Sequence, residues 1–402
     1  MREGWEILKL ESVCKFQNGF AFKSKTFKDS GTPVVRITNI KDELVDLSNM
    51  VFIDKTDYKK DLSKYEIVNG DLLIAMSGAT TGKIGIHQSD EILLLNQRVG
   101  KFDPFNNLDK KYLFYFLSTK VEESLKISKG SAQPNLSTEQ IKNFLIPIPS
   151  ISEQKEIVDL LDKAFESIDK AKANIEKNIE NAKELFQSKL NEIFSQKGEG
   201  WEEKNIEEIS IVVNGYSFKS QDFSADNKIK TIKITNVGIM EFIEDSTNNL
   251  PAEFLQEYAK VKIHAGDLVL ALTRTIISGG LKVARVPVSY DNSLLNQRVA
   301  AIIPNKDIVD SDYLYYYFSS DIVYDYVLDN VNMLMQPNLS IGDLKKMTVP
   351  ITAIANQRKI SNQIEELSER SNTLISNYAN KLNDISELKK SILQKAFNEE
   401  LT

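Results

Sequence analysis

The sequence predicts an α+β fold, in which two similar globular α/β domains are joined by two long helices. Three observations support this prediction. A set of motifs occurs twice in the same order, each copy opens with short β-like runs and turn signals, and each copy closes with a long segment whose apolar residues recur every three or four positions. We expect the two helices to pair as an antiparallel coiled coil, giving the chain a pseudo-two-fold internal repeat.

The repeat consists of landmarks that keep their order in both halves. In the first half they are Trp5, N-G-F-A-F-K-S (18–24), R-I-T-N-I (36–40), G-D-L-L-I-A (70–75), L-N-Q-R-V (95–99) and Q-P-N-L-S (133–137). In the second half they are Trp201, N-G-Y-S-F-K-S (214–220), K-I-T-N-V (233–237), G-D-L-V-L-A (266–271), L-N-Q-R-V (295–299) and Q-P-N-L-S (336–340). The two copies are offset by about 200 residues, as from Trp5 to Trp201. Solenoid repeats have periods of about 20–50 residues, so this longer period indicates a whole domain duplicated with its connector.

Short apolar runs bounded by turn residues predict the strands of each domain. The predicted strands are residues 34–37, 71–75 and 93–95 in the first copy and residues 231–234, 267–271 and 294–295 in the second. The aromatic runs at 112–117 and 313–318 belong to short helices, and their apolar context predicts core packing rather than base stacking.

Each copy ends in a long helix. The segment Ile146-Pro147-Ile148-Pro149 is extended because proline excludes helix there, and Ser152 or a residue next to it is the expected N-cap. The apolar spacing then continues for ~40–45 residues, which is roughly 60–70 Å of helix. The predicted boundaries are 1–150 for the first domain, 151–198 for the first helix, 199–352 for the second domain and 353–402 for the second helix.

The composition is that of an ordinary globular protein, with 42% hydrophobic and 27% charged residues among 402. The one cysteine, Cys14, excludes an internal disulfide, and no apolar run approaches the ~20 residues that span a bilayer. Because the N-terminus does not resemble a signal peptide, we expect a cytoplasmic protein without membrane contact. The net charge of −7 is uneven, with +2 over residues 1–145 and −7 over residues 201–345, which argues against DNA binding by charge alone.

Enzymes need reactive groups, and this sequence offers few. Its two histidines, His87 and His264, occupy different positions in the two copies. The run from Gly78 to Lys83 is one residue too short for the phosphate-binding pattern G-x-x-x-x-G-K, and Ile84 stands where that pattern has Ser or Thr. Methyltransferase, dinucleotide-binding, zinc-protease and serine-hydrolase motifs are absent. We therefore expect a non-catalytic chain that binds no metal and no cofactor.

If the two domains read different nucleic-acid sequences, the reading residues should differ between the copies. The loop after the G-D strand differs: it spans residues 76–83 in the first copy and 272–282 in the second, and both versions are polar, contain glycine and carry a cation. Polar and cationic side chains of these types contact base edges and phosphates. The predicted DNA-binding residues are Ser77, Thr80, Thr81, Lys83, Thr273, Arg274, Thr275 and Lys282, with Lys23 and Lys219 of the N-G-x-x-F-K-S motifs as phosphate contacts.

Polar loop residues that are identical in the two copies leave two interpretations open. They contact DNA, or they hold the shared fold or a shared partner. These residues are Asn39, Gln97 and Arg98 in the first copy and Asn236, Gln297 and Arg298 in the second.

The chain carries a doubled, ordered set of motifs, namely N-G-x-x-F, R-I-T-N, G-D-x-L-x-A, L-N-Q-R-V and Q-P-N-L-S, followed by P-I-P, E-Q and a long helix. In this set it resembles the specificity subunit of type I restriction–modification systems over essentially the whole chain. The resemblance implies that each globular domain is a target recognition domain for one half of a split double-stranded DNA sequence. It also implies that the helices set the gap between the half-sites, and the helix length is consistent with half-sites about 34–36 Å apart.

The same resemblance implies partners and their cofactors. Two methyltransferase subunits, which use S-adenosylmethionine, would dock on the chain, and translocating endonuclease subunits, which use ATP and Mg, would join them. The implied partner-facing residues are Gln133, Asn135, Gln154, Gln336, Asn338 and Gln357. The second copy departs from the first at the helix start, where Ala355-Asn356-Gln357 replaces Ser152-Glu153-Gln154.

Two other functions compete with this interpretation. A duplicated coiled-coil adaptor would join two protein partners without DNA, and the acidic balance of residues 201–345 favours it. Clustering of Lys and Arg on one face of each domain would argue against that adaptor. A nuclease or methyltransferase that acts alone is the third candidate, and the missing motifs disfavour it.

Overall fold

The structure is a computed structural model, and it describes residues 4–128, 135–196, 198, 200–245, 247–277, 280–330 and 338–398. The strands of the first half are β1 (Glu6–Lys9), β2 (Cys14–Asn18), β3 (Thr32–Val35), β4 (Ile40–Lys41), β5 (Leu44–Val45), β6 (Val51–Ile53), β7 (Glu66–Ile67), β8 (Leu72–Ala75), β9 (Ile84–Ile86), β10 (Leu93–Leu95), β11 (Val99–Pro104) and β12 (Leu145–Ile148). Those of the second half are β13 (Glu202–Asn205), β14 (Ser210–Asn214), β15 (Ile229–Ile232), β16 (Asn249–Leu250), β17 (Lys262–Ile263), β18 (Leu268–Ala271), β19 (Ile276–Ile277), β20 (Gly280–Leu281), β21 (Val283–Arg285), β22 (Ser293–Leu295), β23 (Val299–Pro304) and β24 (Thr348–Ile351).

Two of the helices are far longer than the rest. The helices are α1 (Lys110–Thr119), α2 (Val121–Ser128), α3 (Thr138–Lys142), α4 (Ile151–Ser195), α5 (Ile206–Ile209), α6 (Phe254–Glu257), α7 (Ser311–Phe318), α8 (Asp321–Asn330), α9 (Ile341–Lys346) and α10 (Ile354–Phe397). Among the described residues, no helix is both long enough and apolar enough to span a membrane.

The chain divides into two compact units, and each unit draws on both long helices. The first unit comprises residues 1–175 and 380–402, and the second comprises residues 176–379. Each unit therefore holds the beginning of one long helix and the end of the other. Within the first unit, the two helix segments run antiparallel: the Lys389 ammonium lies 5.0 Å from the centre of the Phe165 ring, and Ile168, further along α4, lines the same groove as Ile385, earlier in α10.

The described residues of the first unit form three sheets. Their strand orders are β2-β11-β8-β9-β5-β4, β6-β3-β10-β7 and β1-β12. The proline-rich segment predicted to be extended is β12, which pairs antiparallel with β1. The predicted strand 34–37 is shorter than expected, because the chain leaves β3 after Val35 and enters a 3₁₀ turn at Ile37–Asn39.

The core of the first unit confirms the predicted role of the aromatic run in α1. Tyr112 and Phe116 are buried, and both rings pack against Phe397 of α10, with centroid distances of 5.1 and 5.6 Å. Leu393 and Ala396 join the same core. The last turns of α10 thus complete the interior of a unit whose other residues lie more than 200 positions earlier.

The second unit repeats this construction. Its sheets have the orders β14-β23-β18-β21, β16-β15-β22-β17, β13-β24 and β19-β20. Here the end of α4 takes the place that the end of α10 has in the first unit. Phe194 packs against Tyr313 and Tyr317 of α7 at centroid distances of 5.3 and 5.2 Å.

The start of α4 differs by two residues from the predicted N-cap. Ser150, rather than Ser152, is the capping residue because α4 already begins at Ile151. The Ser150 hydroxyl accepts a hydrogen bond from the Glu153 N–H at 3.3 Å, and the Ser150 N–H donates to the Glu153 carboxylate at 3.1 Å. This reciprocal pair is a capping box.

Candidate nucleic-acid interface

Three of the repeated motifs meet at one surface of the first unit. The N-G motif bonds to the L-N-Q-R-V motif, since the Phe20 N–H donates to the Leu95 carbonyl at 2.8 Å. The Q-P-N-L-S motif bonds to the start of the divergent loop, since the Leu136 N–H donates to the Met76 carbonyl at 2.7 Å. The Met76 N–H in turn donates to the Arg98 carbonyl at 2.9 Å. The motifs therefore surround the point where the divergent loop begins.

These motifs line a small polar cavity, which we call the motif notch. It has a volume of about 370 Å³ and is lined by Asn18, Met76, Gln97, Arg98, Asn135, Leu136, Ser137 and Thr138. The Asn18 amide donates to the Thr138 hydroxyl at 2.6 Å, and the Gln97 and Arg98 side chains are exposed at its edge. Such a notch presents amide and guanidinium donors to solvent beside a loop that varies between the copies.

The second unit forms the same backbone frame. The Tyr216 N–H donates to the Leu295 carbonyl at 2.9 Å, and the Leu339 N–H donates to the Leu272 carbonyl at 3.0 Å. The glycine after each asparagine is required by packing, because a Cβ on Gly19 or Gly215 would lie 2.1 or 1.9 Å from a backbone carbonyl oxygen. This close approach explains why the N-G pair occurs in both copies.

The residues of the first divergent loop are not equally accessible. Lys83 is exposed and Thr80 is partly exposed. Ser77 is buried, and its backbone pairs with Asn135. Thr81 is fully buried, and its hydroxyl donates to the Gly78 carbonyl at 2.7 Å. Only Thr80 and Lys83 among the predicted contacts of this loop are open to a ligand in this conformation.

The second divergent loop shows the same division. Arg274 is exposed and adopts a left-handed backbone conformation with φ of 49°, and Thr273 is partly exposed. Thr275 is fully buried. Lys282 is partly buried, and its ammonium donates to the Ile234 carbonyl at 2.9 Å. Burial, together with the nearby Arg274 charge, lowers the pKa of Lys282 below its usual value.

The two predicted phosphate contacts occupy equivalent places. Lys23 precedes the 3₁₀ turn Ser24–Thr26, and Lys219 precedes the 3₁₀ turn Ser220–Asp222. Both side chains are exposed, so either ammonium is accessible to an anion.

The asparagines of the I-T-N motifs are buried and bond within their own units, which favours the structural one of the two interpretations left open for them. Asn39 is buried, accepting a hydrogen bond from the Arg36 N–H at 2.9 Å and donating to the Asp46 carbonyl at 3.2 Å. Asn236 makes the same bonds to the Lys233 N–H at 2.8 Å and to the Ile243 carbonyl at 2.7 Å. By contrast, Gln297 and Arg298 are exposed like their counterparts in the first unit.

Two of the implied partner-facing residues require correction. Gln154 is fully buried, accepts from the Asp109 N–H at 2.8 Å, and donates to the Asn107 and Pro149 carbonyls at 2.9 and 3.0 Å. Gln357 is equally buried and makes the equivalent bonds to Asp310, Ile308 and Thr352 at 2.9, 3.0 and 2.7 Å. Each glutamine fastens a long helix to its own unit and offers no polar atom to a partner.

The other implied partner residues are placed differently. Asn135 and Asn338 are exposed, and each pairs with the start of the divergent loop of its own unit. Gln133 and Gln336 lie outside the described residues. Asn18 of the motif notch was missed by the sequence reasoning, although its place in a repeated N-G pair was a usable signal. Within the described ranges, no group of three or more His, Cys, Asp and Glu side chains is arranged to hold a metal ion.

Comparison with known proteins adds independent information. A family model described as the type I restriction modification DNA specificity domain matches residues 2–181 and 198–384. The MjaVIII specificity subunit of Methanocaldococcus jannaschii is 26% identical over 388 residues, which cover 91% of this chain and 86% of that protein. The EcoKI specificity subunit of Escherichia coli strain K12 is 26% identical over 433 residues, covering 100% of this chain and 90% of that protein.

Solved structures share the fold. A chain from work on complex assembly and conformational transition of a type I R-M system has a TM-score of 0.75 at 17% identity and covers 100% of this chain and 99% of its own. The HsdS subunit from Thermoanaerobacter tengcongensis has a TM-score of 0.58 at 17% identity, covering 100% and 98%. Because the family model matches both copies of the repeat and most of the chain, this protein belongs to the family of type I restriction–modification DNA specificity subunits.

Proposed function

We propose that this chain is the DNA-recognition subunit of a type I restriction–modification complex, in which each unit reads one half of a bipartite target. The observation that carries the proposal is the pairing of a repeated frame with a divergent loop. The backbone frame around the motif notch is built by the same bonds in both units, whereas the loop that starts from this frame differs in length and sequence. A shared frame with different loops suits two half-sites of different sequence.

The residues open to solvent define the proposed contacts. Thr80 and Lys83 of the first unit, and Thr273 and Arg274 of the second, contact the DNA bases or the adjacent phosphates. Lys23 and Lys219 contact phosphates. The buried residues Ser77, Thr81 and Thr275 shape the loops instead, and Lys282 braces the second loop through the Ile234 carbonyl.

The chain itself is proposed to be non-catalytic. Two methyltransferase subunits supply adenine methylation with S-adenosylmethionine, and endonuclease subunits add cleavage with ATP and Mg. Asn135 and Asn338 are retained as candidate partner contacts, while the long helices set the spacing between half-sites and receive the methyltransferase subunits. The chain is proposed to act in the cytoplasm.

The decisive experiment maps adenine methylation in cells that express a cognate methyltransferase subunit, with and without this chain. We expect a split motif that is methylated only when the chain is present. A stable complex that leaves the methylation pattern unchanged would instead favour the protein adaptor. Methylation or cleavage by the purified chain alone would contradict the non-catalytic assignment.

Matched loop variants assign the half-sites. Arg274→Ala should weaken discrimination at one half-site by about 1–3 kcal/mol, the range of a good base contact. Lys83→Ala should affect only the other half-site. Both variants should still bind the methyltransferase subunit, and loss of that binding would show that the loops serve assembly rather than readout.

The spacer role has its own test. Four residues inserted next to Lys177, within α4, should change the preferred gap between half-sites and leave both half-site sequences unchanged. Methylome sequencing of the inserted chain reports both quantities at once. The same gap in the inserted and parent chains would contradict a spacer role for the helices.

A further inference from the structure

A lysine-bearing segment lies beside the motif notch of the first unit. The Gln97 N–H donates to the Phe20 carbonyl at 2.9 Å, which joins the exposed Gln97–Arg98 edge to the Phe20 ring. Residues 58–65 cover that ring. The Lys60 ammonium lies 5.5 Å from the centroid of Phe20 and 5.8 Å from that of Tyr65. The segment is therefore linked to the notch through Phe20 and the Gln97 backbone.

Aromatic rings position the ammonium groups of this segment, and the lysine side chains remain exposed to solvent. The Lys64 ammonium lies 4.9 Å from the centroid of the Tyr65 ring, and the Lys64 carbonyl accepts a hydrogen bond from the Gln17 side chain. Both Lys60 and Lys64 are solvent-exposed. A cation placed over an aromatic ring keeps its charge and has fewer conformations to lose when an anion binds.

The equivalent surface of the second unit has a different chemistry. The 3₁₀ turns Ser63–Tyr65 and Ala259–Val261 precede equivalent strands, so Gln256 stands where the first unit has Lys60, whereas the exposed Lys260 stands where it has Lys64. There the Gln297 N–H donates to the Tyr216 carbonyl at 2.8 Å, and Tyr216, with 46% of its surface exposed, packs against Tyr258 at 4.7 Å.

An acidic residue adjoins this tyrosine pair. A hydrogen bond between the Tyr258 hydroxyl and the Glu257 carboxylate raises the pKa of Tyr258 to about 12. Glu257 itself stands where the first unit has Asp61, so a carboxylate is common to both units. The second unit therefore offers one lysine, Lys260, beside tyrosine hydroxyl groups at the place where the first unit offers two lysines over aromatic rings.

We propose that Lys60 and Lys64 contact the phosphate backbone of duplex DNA beside the half-site read by the first unit, and that the second unit makes a weaker phosphate contact at the equivalent place. This inference rests on the proposed DNA-recognition function. The first unit then supplies the larger share of the salt-dependent affinity, in keeping with net charges of +2 over residues 1–145 and −7 over residues 201–345.

The test uses the complex of the full chain with its methyltransferase subunits. The probe is a duplex that carries the methylated motif, and its Kd is measured from about 50 to about 200 mM salt, with an unrelated duplex alongside. Lys60→Ala/Lys64→Ala should reduce the magnitude of the slope of log affinity against log salt by about 2, or about 1 for each phosphate contact. Both duplexes should weaken by the same factor, because phosphates carry no sequence information.

Matched variants separate charge from structure. Gln256→Ala in the second unit should leave the salt slope unchanged, and Lys60→Arg/Lys64→Arg should keep the parent slope because it keeps both charges. A parent slope in the double alanine variant would overturn the inference. If instead the parent complex shows no preference for the motif duplex, the proposed function fails, and the two failures are distinguishable.

Discussion

Two pairs of equivalent residues show what the units share and where they differ. Gln154 and Gln357 make the same three bonds to backbone groups. Asp71 and Asp267 both accept a backbone N–H, at 2.9 and 2.8 Å, and Asp71 in addition forms an ion pair with the Lys101 ammonium at 3.2 Å. Ala301 occupies the equivalent place in the second unit.

This difference between the glutamine pair and the aspartate pair indicates which bonds are kept when the two copies of a duplicated domain change in sequence. A side chain that bonds to backbone groups keeps its partners whatever sequence surrounds it, since every residue has the same backbone. An ion pair needs two matched side chains and disappears when either changes. Side chain-to-backbone bonds thus recur in the shared frame, together with the hydroxyl–carboxylate pairs Tyr115–Asp162 and Tyr316–Glu365, while the Asp71–Lys101 ion pair and the divergent loops distinguish the units.

The largest expected effect comes from removing a shared glutamine. Gln154→Ala leaves three backbone groups without their partner, one of them buried at Pro149, and should lower the free energy of unfolding of the first unit by about 3 kcal/mol. In a Trp201→Phe background, Trp5 is the remaining tryptophan, so its fluorescence during denaturant unfolding reports the first unit.

Gln357→Ala should have an equal effect on the second unit, followed through Trp201 in a Trp5→Phe background. The control is Gln97→Ala, an exposed glutamine whose removal should change stability by no more than about 0.5 kcal/mol. Equal stabilities for Gln154→Ala and Gln97→Ala would contradict the fastening role of Gln154.

A smaller effect is expected at the aspartates, with opposite outcomes in the two units. Asp71→Asn leaves the partly buried Lys101 without its carboxylate and should cost about 1–2 kcal/mol at neutral pH. Asp267 is buried, and desolvation raises its pKa above the usual 3.8 despite the nearby Lys306 charge. Asp267→Asn keeps an acceptor for the His264 N–H and should leave stability unchanged or higher.

The sign of the pH dependence sharpens this comparison. A carboxyl whose pKa is raised by folding binds its proton more tightly in the folded state, so its stabilising contribution is complete below 3.8 and is lost as pH rises through the folded pKa. As pH rises above 3.8, the free energy of unfolding of Asp267→Asn should therefore increase relative to that of the parent. A pH-independent difference would show that Asp267 is not destabilised by burial.

The smallest effect separates the two loop lysines. Lys83 and Lys282 are equivalent, because each accepts a hydrogen bond at its carbonyl from the last alanine of the G-D strand, at 2.8 and 3.1 Å. Lys282→Ala removes the bond to the Ile234 carbonyl and should cost about 1 kcal/mol of unfolding free energy, whereas exposed Lys83→Ala should cost less than about 0.5 kcal/mol. If denaturant titrations gave the same loss of unfolding free energy for both variants, Lys282 would not stabilise its loop more than Lys83 does.

Much of the architecture was predictable because it depends on patterns among residues that are close in sequence. Apolar spacing predicted α4 and α10, the prolines predicted the extended β12, and an aromatic run in an apolar context predicted the core position of Tyr112. These signals need only neighbouring residues. Because the motifs repeat, the fold predicted for the first unit could also be predicted for the second.

The site was less predictable because burial depends on distant partners. Gln154 resembled a surface residue at a helix start, but the Asp109 and Asn107 backbone groups that enclose it lie 45 and 47 positions earlier. Thr81 lay in a polar loop and proved buried, with its hydroxyl turned back to Gly78. Polar character alone does not distinguish a residue that braces a loop from one that faces a ligand.

The shared use of α10 has a consequence for how the protein is made. Residues 176–379 form the second unit as one continuous stretch, whereas the first unit needs residues 380–397 to cover Tyr112 and Phe116. Domains usually fold in the order in which the ribosome produces them. Here the order is inverted: the unit that begins first finishes last, and its aromatic core stays open on the nascent chain until translation has passed through the whole of the other unit.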